Sequence, residues 1–159
     1  MKTAALALCA ATVLALPAWA APADAVQANA EFLANNAKAP GVRSLPAIQY
    51  EVLRSGPPDG PQPKRSSTIR VRYEGRLLDG KVFNSSADGN PDGIATFPLQ
   101  KLIPGWITIL QQMHVGDEWR VFIPPDYAYG RHGKETVPPD ALLIFRIELL
   151  DVSDTPPTP

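Results

Sequence analysis

Thr68-Ile69-Arg70-Val71-Arg72-Tyr73-Glu74-Gly75-Arg76-Leu77, followed by Leu78-Asp79-Gly80-Lys81 and then Val82-Phe83-Asn84-Ser85, is the stretch that decides the fold. Ile69, Val71 and Tyr73 alternate with Arg70, Arg72 and Glu74. That two-residue period belongs to a strand with one buried face and one wetted face, the signature of an antiparallel sheet. Asp79-Gly80 is a hairpin-type turn, because glycine accepts the positive φ that such turns demand. Residues 81–85 resume the sheet on the far side of it.

Working outward, the same period recurs. Ile48, Tyr50 and Val52 alternate with Gln49 and Glu51, and Trp119, Val121 and Ile123 are expected to point inward from a strand over 118–123. Residues 95–99 read as a further strand, and 141–152, nearly all apolar apart from Arg146 and Glu148, as a central one. Trp106, Ile109, Leu110 and Met113 stand at helical spacing, so one short helix is predicted over 104–112, with Pro104 in its first turn. Loops rich in Gly, Pro, Asn and Asp fill 55–67, 86–93 and 124–139. The fold class that follows is α+β: an antiparallel sheet of five or six strands packed on a single short helix.

Composition narrows the rest. Eighteen prolines in 159 residues exclude a mostly helical bundle, since proline inside a helix costs about 3 kcal/mol. Fifteen basic against 16 acidic residues, a net charge of -1, give no footprint for nucleic acid or an anionic membrane. One Cys and two His cannot assemble a zinc cluster. Met1-Lys2, an apolar run over 3–15, and small residues at Ala18 and Ala20 have the form of a secretory signal peptide. Cleavage is expected after Ala20, which removes Cys9 and leaves no membrane anchor. Residues 23–38 can form a helix with Val26, Ala30, Leu33 and Ala37 on one face, and they read equally as a flexible spacer. The expected organisation is a signal peptide over 1–20, a helical or flexible extension over 21–46, a domain over 47–153 and a tail over 154–159.

The chemistry-bearing motifs are few. The chain has neither Gly-x-x-x-x-Gly-Lys-Ser/Thr, nor Gly-x-Gly-x-x-Gly, nor Gly-x-Ser-x-Gly. His114 and His132 read as surface residues, and Asp117-Glu118 as solvated carboxylates beside a turn. What stands out is a set of aromatics near turns, in a particular order: Val71 to Ser86 as quoted; Phe97-Pro98-Leu99; Leu102-Ile103-Pro104-Gly105-Trp106; Ile123-Pro124-Pro125-Asp126-Tyr127-Ala128-Tyr129-Gly130; Val137-Pro138-Pro139; and Leu143-Ile144-Phe145-Arg146-Ile147-Glu148-Leu149-Leu150. From about Ala47 to Val152 the chain resembles the FKBP-type peptidyl-prolyl cis-trans isomerases, and residues 21–46 look like the helical lead-in of secreted bacterial members.

The resemblance implies a sheet half-wrapped around one short helix and an apolar cleft for a proline side chain. Trp106 would form the floor, with Tyr73, Phe83, Leu102, Ile103, Val137 and Phe145 as walls and Phe97 beside them. Tyr129 would donate to one substrate carbonyl and the backbone N–H of Ile103 to another. The catalytic set implied is Tyr73, Phe83, Asn84, Tyr129 and Phe145. The substrate-binding set is Phe97, Leu102, Ile103, Trp106 and Val137. Neither cofactor nor metal is implied. The expected partners are proline-containing polypeptides in the periplasm or outside the cell, with macrolide immunosuppressants as inhibitors. Secreted relatives can dimerise through long N-terminal helices, and dimerisation stays open here, but the short helix and weak apolar stripe over 23–38 point to a monomer. An apolar residue before proline is expected to be preferred, with no basic group facing the cleft. Three positions depart from the family: Asn84 where Asp is usual, Ala95 where a larger residue is common and should leave a thinner wall, and Ile109 where the short helix often has Gly. The alternative is a peptide-binding chaperone module that keeps the cleft and has little or no catalytic rate.

Overall fold

The computed structural model describes residues 22–154. The expected signal peptide and all but the first residue of the tail lie outside them. The elements run α1 (Pro22–Asn36), β1 (Val42–Leu45), β2 (Ile48–Arg54), β3 (Thr68–Leu77), β4 (Val82–Ser85), β5 (Ala95–Pro98), α2 (Pro104–Leu110), β6 (Glu118–Ile123) and β7 (Leu143–Ser153). The strands form one antiparallel sheet in the order β1-β2-β6-β7-β3-β4, and β5 pairs with the first half of β3. The α+β architecture is the expected one, with one strand more than predicted. That strand, β1, lies in the stretch read as an extension. It pairs with β2 through a two-residue loop, Pro46-Ala47, with Ala47 at φ 66°. Proline followed by a positive φ is the habit of a type II turn, and alanine in the place usual for glycine hides that signal in the sequence.

β3 is the spine of the sheet. Its whole length pairs with β7, from Thr68 opposite Ser153 to Leu77 opposite Leu143. Ile69 and Val71 are fully buried, as the alternation predicts, and so are Val121, Ile123, Ile147 and Leu149 on the same face. α2 closes this core with Trp106, Ile107, Ile109 and Leu110. The helix comes close because Gly105 has no side chain: a Cβ there would lie 2.5 Å from Ile123 Cγ2. Ile109 is accommodated at full burial within the core. The other face carries the charges in pairs, Arg54 and Arg72 with Glu148, Arg146 with Glu118, and Arg120 with Glu51.

Two expectations are corrected here. α1 buries a different face from the one its apolar spacing suggests. Val26 is 54% exposed and Ala30 and Ala37 are exposed, whereas Asn29 is buried and Phe32 packs on Phe122 at 5.7 Å between ring centroids. Phe122 lies on the outer face of the sheet, where the Phe32 ring helps to bury it. Asp117 is also buried rather than solvated. Its carboxylate accepts the backbone N–H of Gly56 at 2.6 Å and of His114 at 2.8 Å, and so fastens the proline-rich loop over 55–67 to the turn before β6. Glu118 beside it is largely covered and ion-paired.

Candidate functional site

One cleft, of about 250 Å³, opens over the N-terminal end of α2. Its lining includes all ten residues named from the sequence: Tyr73, Phe83, Asn84, Phe97, Leu102, Ile103, Trp106, Tyr129, Val137 and Phe145. Lys134, Glu135 and Thr136 complete it.

The floor is the Trp106 ring. α2 begins at Pro104, whose fixed φ suits a first turn, and the Ile103 carbonyl accepts the N–H of both Trp106 and Ile107. That start places the indole against three rings met edge-on. Tyr73 lies at 5.1 Å and 89°, Phe145 at 5.2 Å and 86°, and Phe97 at 6.4 Å and 83°. Edge-to-face pairs of this kind are each worth about 0.5–1.5 kcal/mol beyond area burial. The indole Nε1 is buried and has no acceptor among the described residues.

The sheet supplies the walls. Gly75 on β3 faces Phe145 on β7 and Asn84 on β4. The β3–β4 register then slips, with Arg76 opposite Val82, so that Phe83 is the extra residue of a bulge. Bulges re-aim side chains beside functional sites. Here the Phe83 and Phe145 rings meet at 5.6 Å over Gly75, where a Cβ would come within 2.7 Å of both.

Polar groups sit at the rim. The Tyr73 hydroxyl donates to Asn84 Oδ1 in a short hydrogen bond. Burial, and secondarily the neighbouring Tyr129 and Asp88, raise the Tyr73 pKa above its ordinary value, so the phenol stays a neutral donor. Residues 134–137 form a tight turn with Lys134 and Val137 bonded through both backbone pairs, and Glu135 at its tip has φ 51°. Lys134 Nζ lies 5.6 Å from the centroid of the Tyr129 ring. A basic group therefore does line the cleft, contrary to expectation. In the sequence Lys134 is one charge in a polar loop, and only the folding back of that loop brings it to the site. Ala95 is buried in the main core and does not line the cleft, so it thins no wall. Among the described residues no group of His, Cys, Asp and Glu is placed to hold a metal, and no helix is long and apolar enough to cross a membrane.

Comparison with known proteins bears on this cleft. Residues 60–150 match the family model of the FKBP-type peptidyl-prolyl cis-trans isomerases. The chain is 44% identical over 124 residues to the FKBP-type peptidyl-prolyl cis-trans isomerase FkpA of Aeromonas hydrophila, covering 77% of this chain and 44% of that protein. It is 42% identical over 125 residues to the FKBP-type 22 kDa peptidyl-prolyl cis-trans isomerase of Escherichia coli K12, covering 77% and 58%. The chain thus spans about half the length of the curated relatives it matches. A crystal structure of a peptidyl-prolyl cis-trans isomerase from Pseudomonas syringae pv. tomato aligns with a TM-score of 0.76 at 38% identity, over 84% of this chain and 97% of that one.

Proposed function

The chain belongs to the FKBP-type peptidyl-prolyl cis-trans isomerase family, and on that premise we propose that it accelerates rotation about X-Pro bonds of exported polypeptides. The observation that carries the proposal is the cleft itself: a buried Trp106 floor ringed edge-on by Tyr73, Phe97 and Phe145.

The uncatalysed rotation crosses a barrier of about 18–20 kcal/mol and takes tens of seconds. No bond breaks, so no nucleophile is required. At the twisted transition state amide resonance is lost and the peptide group is less dipolar. A dry aromatic cleft therefore favours the twisted form over the planar one, which is differential binding in its simplest form. Tyr129 and the backbone N–H of Ile103 hold the carbonyls flanking the proline while its ring sits on Trp106. Tyr73, Phe83, Asn84 and Phe145 shape the reacting side, and Leu102, Phe97 and Val137 complete the apolar wall.

The same cleft is the seat expected for macrolide inhibitors. The signal-peptide pattern over residues 1–20 supports a mature protein that begins at Ala21 and works in the periplasm or outside the cell. A monomer fits the packing of α1, whose Phe32 face is spent on Phe122 of its own chain. Asn84 favours a second reading, a peptide-binding chaperone with little rate, because a neutral amide stands where the family has a carboxylate.

The test is isomer kinetics on a Leu-Pro peptide. Acceleration that a macrolide abolishes supports the isomerase. Peptide binding and suppressed aggregation without acceleration support the chaperone reading. Mass spectrometry of exported protein checks the N-terminus: retained Met1, or lipid on Cys9, overturns the assignment of compartment.

A further inference from the structure

We infer that α1 is a positioning element for the cleft, acting through Asn29 on the loop that carries Tyr129. The inference rests on the isomerase reading above, and its starting point is a buried polar side chain on a helix that is otherwise mostly exposed.

Asn29 is 8% exposed. Asparagine is a poor helix former, and a buried amide needs partners. Its Nδ2 donates to the backbone carbonyl of Asp140 at 2.7 Å, across 111 positions of sequence. Asp140 holds a left-handed backbone, φ 54°, a conformation that aspartate accepts more readily than most non-glycine residues. Its own N–H donates to the Gly130 carbonyl at 3.0 Å. Gly130, at φ 59°, directly follows Tyr129. Two hydrogen bonds thus run from the helix to the residue beside the candidate substrate donor.

The loop that the tether reaches is irregular. Between β6 and β7 the chain makes 3-10 turns at Pro125–Tyr127 and Gly130–His132 and a two-residue bridge between Lys134 and Val137. Its contact with the opposite wall includes a 3.4 Å bond from Thr136 Oγ1 to the Phe83 carbonyl. Its middle is held by Tyr127, Ala128, Tyr129 and Val137 packing on the core, and Asp140 near its end by the hydrogen bonds to Asn29 and Gly130. α1 is itself well anchored. Phe32 packs on Phe122, Asn36 Nδ2 donates to Gln49 Oε1 at 2.8 Å, and Gln49 Nε2 donates to the Leu33 carbonyl at 2.9 Å. The helix is fixed to the outer face of the sheet at its C-terminal half and reaches the cleft loop with Asn29.

The experiment compares wild type, Asn29→Ala and Asn29→Asp, each alone and with Tyr129→Phe. Asp keeps the shape of Asn and loses the donor. Two quantities are read: kcat/KM on a Leu-Pro peptide, and amide hydrogen exchange of Asp140 by NMR. Both Asn29 variants are expected to lose about tenfold in kcat/KM and at least tenfold in Asp140 protection, with β6 and β7 amides still protected. In the Tyr129→Phe background the same substitutions should change kcat/KM by less than twofold, because the hydroxyl that the tether positions is gone. A general loss of stability does not produce that non-additivity. Equal losses in both backgrounds, or unchanged kcat/KM in the Asn29 variants, overturn the inference. If wild type accelerates no X-Pro peptide, the isomerase reading has failed. The same cycle read by the peptide Kd then decides the role of Asn29 by the same criteria.

Discussion

Trp106→Ala tests the cleft at its base. The ring is 4% exposed and touches three aromatic rings edge-on. Truncating a buried Trp to Ala costs about 3–5 kcal/mol. Three ring contacts push the value to the upper end, since each adds about 0.5–1.5 kcal/mol. One feature works in the opposite direction. The indole Nε1 is buried with no acceptor among the described residues, and removing such a donor returns about 1–3 kcal/mol. The net expectation is a loss of about 3 kcal/mol, a large fraction of the about 5–15 kcal/mol that holds a domain folded. For a chain of this size it lowers Tm by about 10 °C. Urea denaturation should show a lower midpoint at unchanged m, the mark of lost stability rather than of an altered denatured state. Peptide binding should fall with it. Ligand-dependent change in tryptophan fluorescence should also disappear, leaving the constant signal of Trp119, which is buried and stacked on Tyr50 at 4.6 Å. A Tm within 2 °C of wild type would refute the reasoning, because a floor that can be removed without cost is not packed against its walls.

Asn84→Asp replaces a neutral acceptor of the Tyr73 hydroxyl by a charged one, which makes hydrogen bonds about twice as strong. A gain of about tenfold in kcat/KM on a Leu-Pro peptide is expected, equivalent to about 1.4 kcal/mol, with Tm nearly unchanged. Equal values in two fast enzymes would show the carboxylate dispensable. Gly75→Ala drives a Cβ to 2.7 Å from Phe83 and Phe145, so it should lower both stability and activity; a fully active variant at wild-type Tm would mean that the two rings do not meet over the strand. In an X-Pro peptide series Leu should lead, because Ile103, Phe83 and Val137 line the cleft. Lys134 at the rim should lift Glu-Pro above Lys-Pro, and Lys134→Glu should reverse that order; Glu-Pro outpacing Leu-Pro would contradict the apolar preference. The Tyr73 pKa is raised in the folded state, so its contribution is fully present below pH 10.0 and is lost as pH rises through the higher folded value. Spectrophotometric titration should find the Tyr73 phenol ionising late, and Tyr73→Phe should remove that late step; an unchanged titration curve in the variant would refute the assignment.

The strands were legible in the sequence wherever alternation was clean. Ile69, Val71 and Tyr73 declared one face of β3, and Trp119, Val121 and Ile123 one face of β6, because a period of two is a local property of the chain. The spacing of Trp106, Ile109, Leu110 and Met113 likewise declared the helix under the cleft. The family resemblance carried by the ordered motifs named ten residues, and the structure brings all ten round one cavity. What the tertiary structure alone decided are the contacts between distant segments. Phe122 reads as solvent-facing until Phe32, ninety positions away, packs against it. Asn29 lies off the apolar face read for its helix, and its partner carbonyl comes from Asp140; Asp117 reads as solvated until Gly56 and His114 turn their amides to it. Lys134 reads as one charge in a loop until that loop folds back beside Tyr129. In each case the side chain's own neighbours carry no trace of the partner, since burial of a polar or outward-facing group is determined by which remote backbone comes to satisfy or cover it.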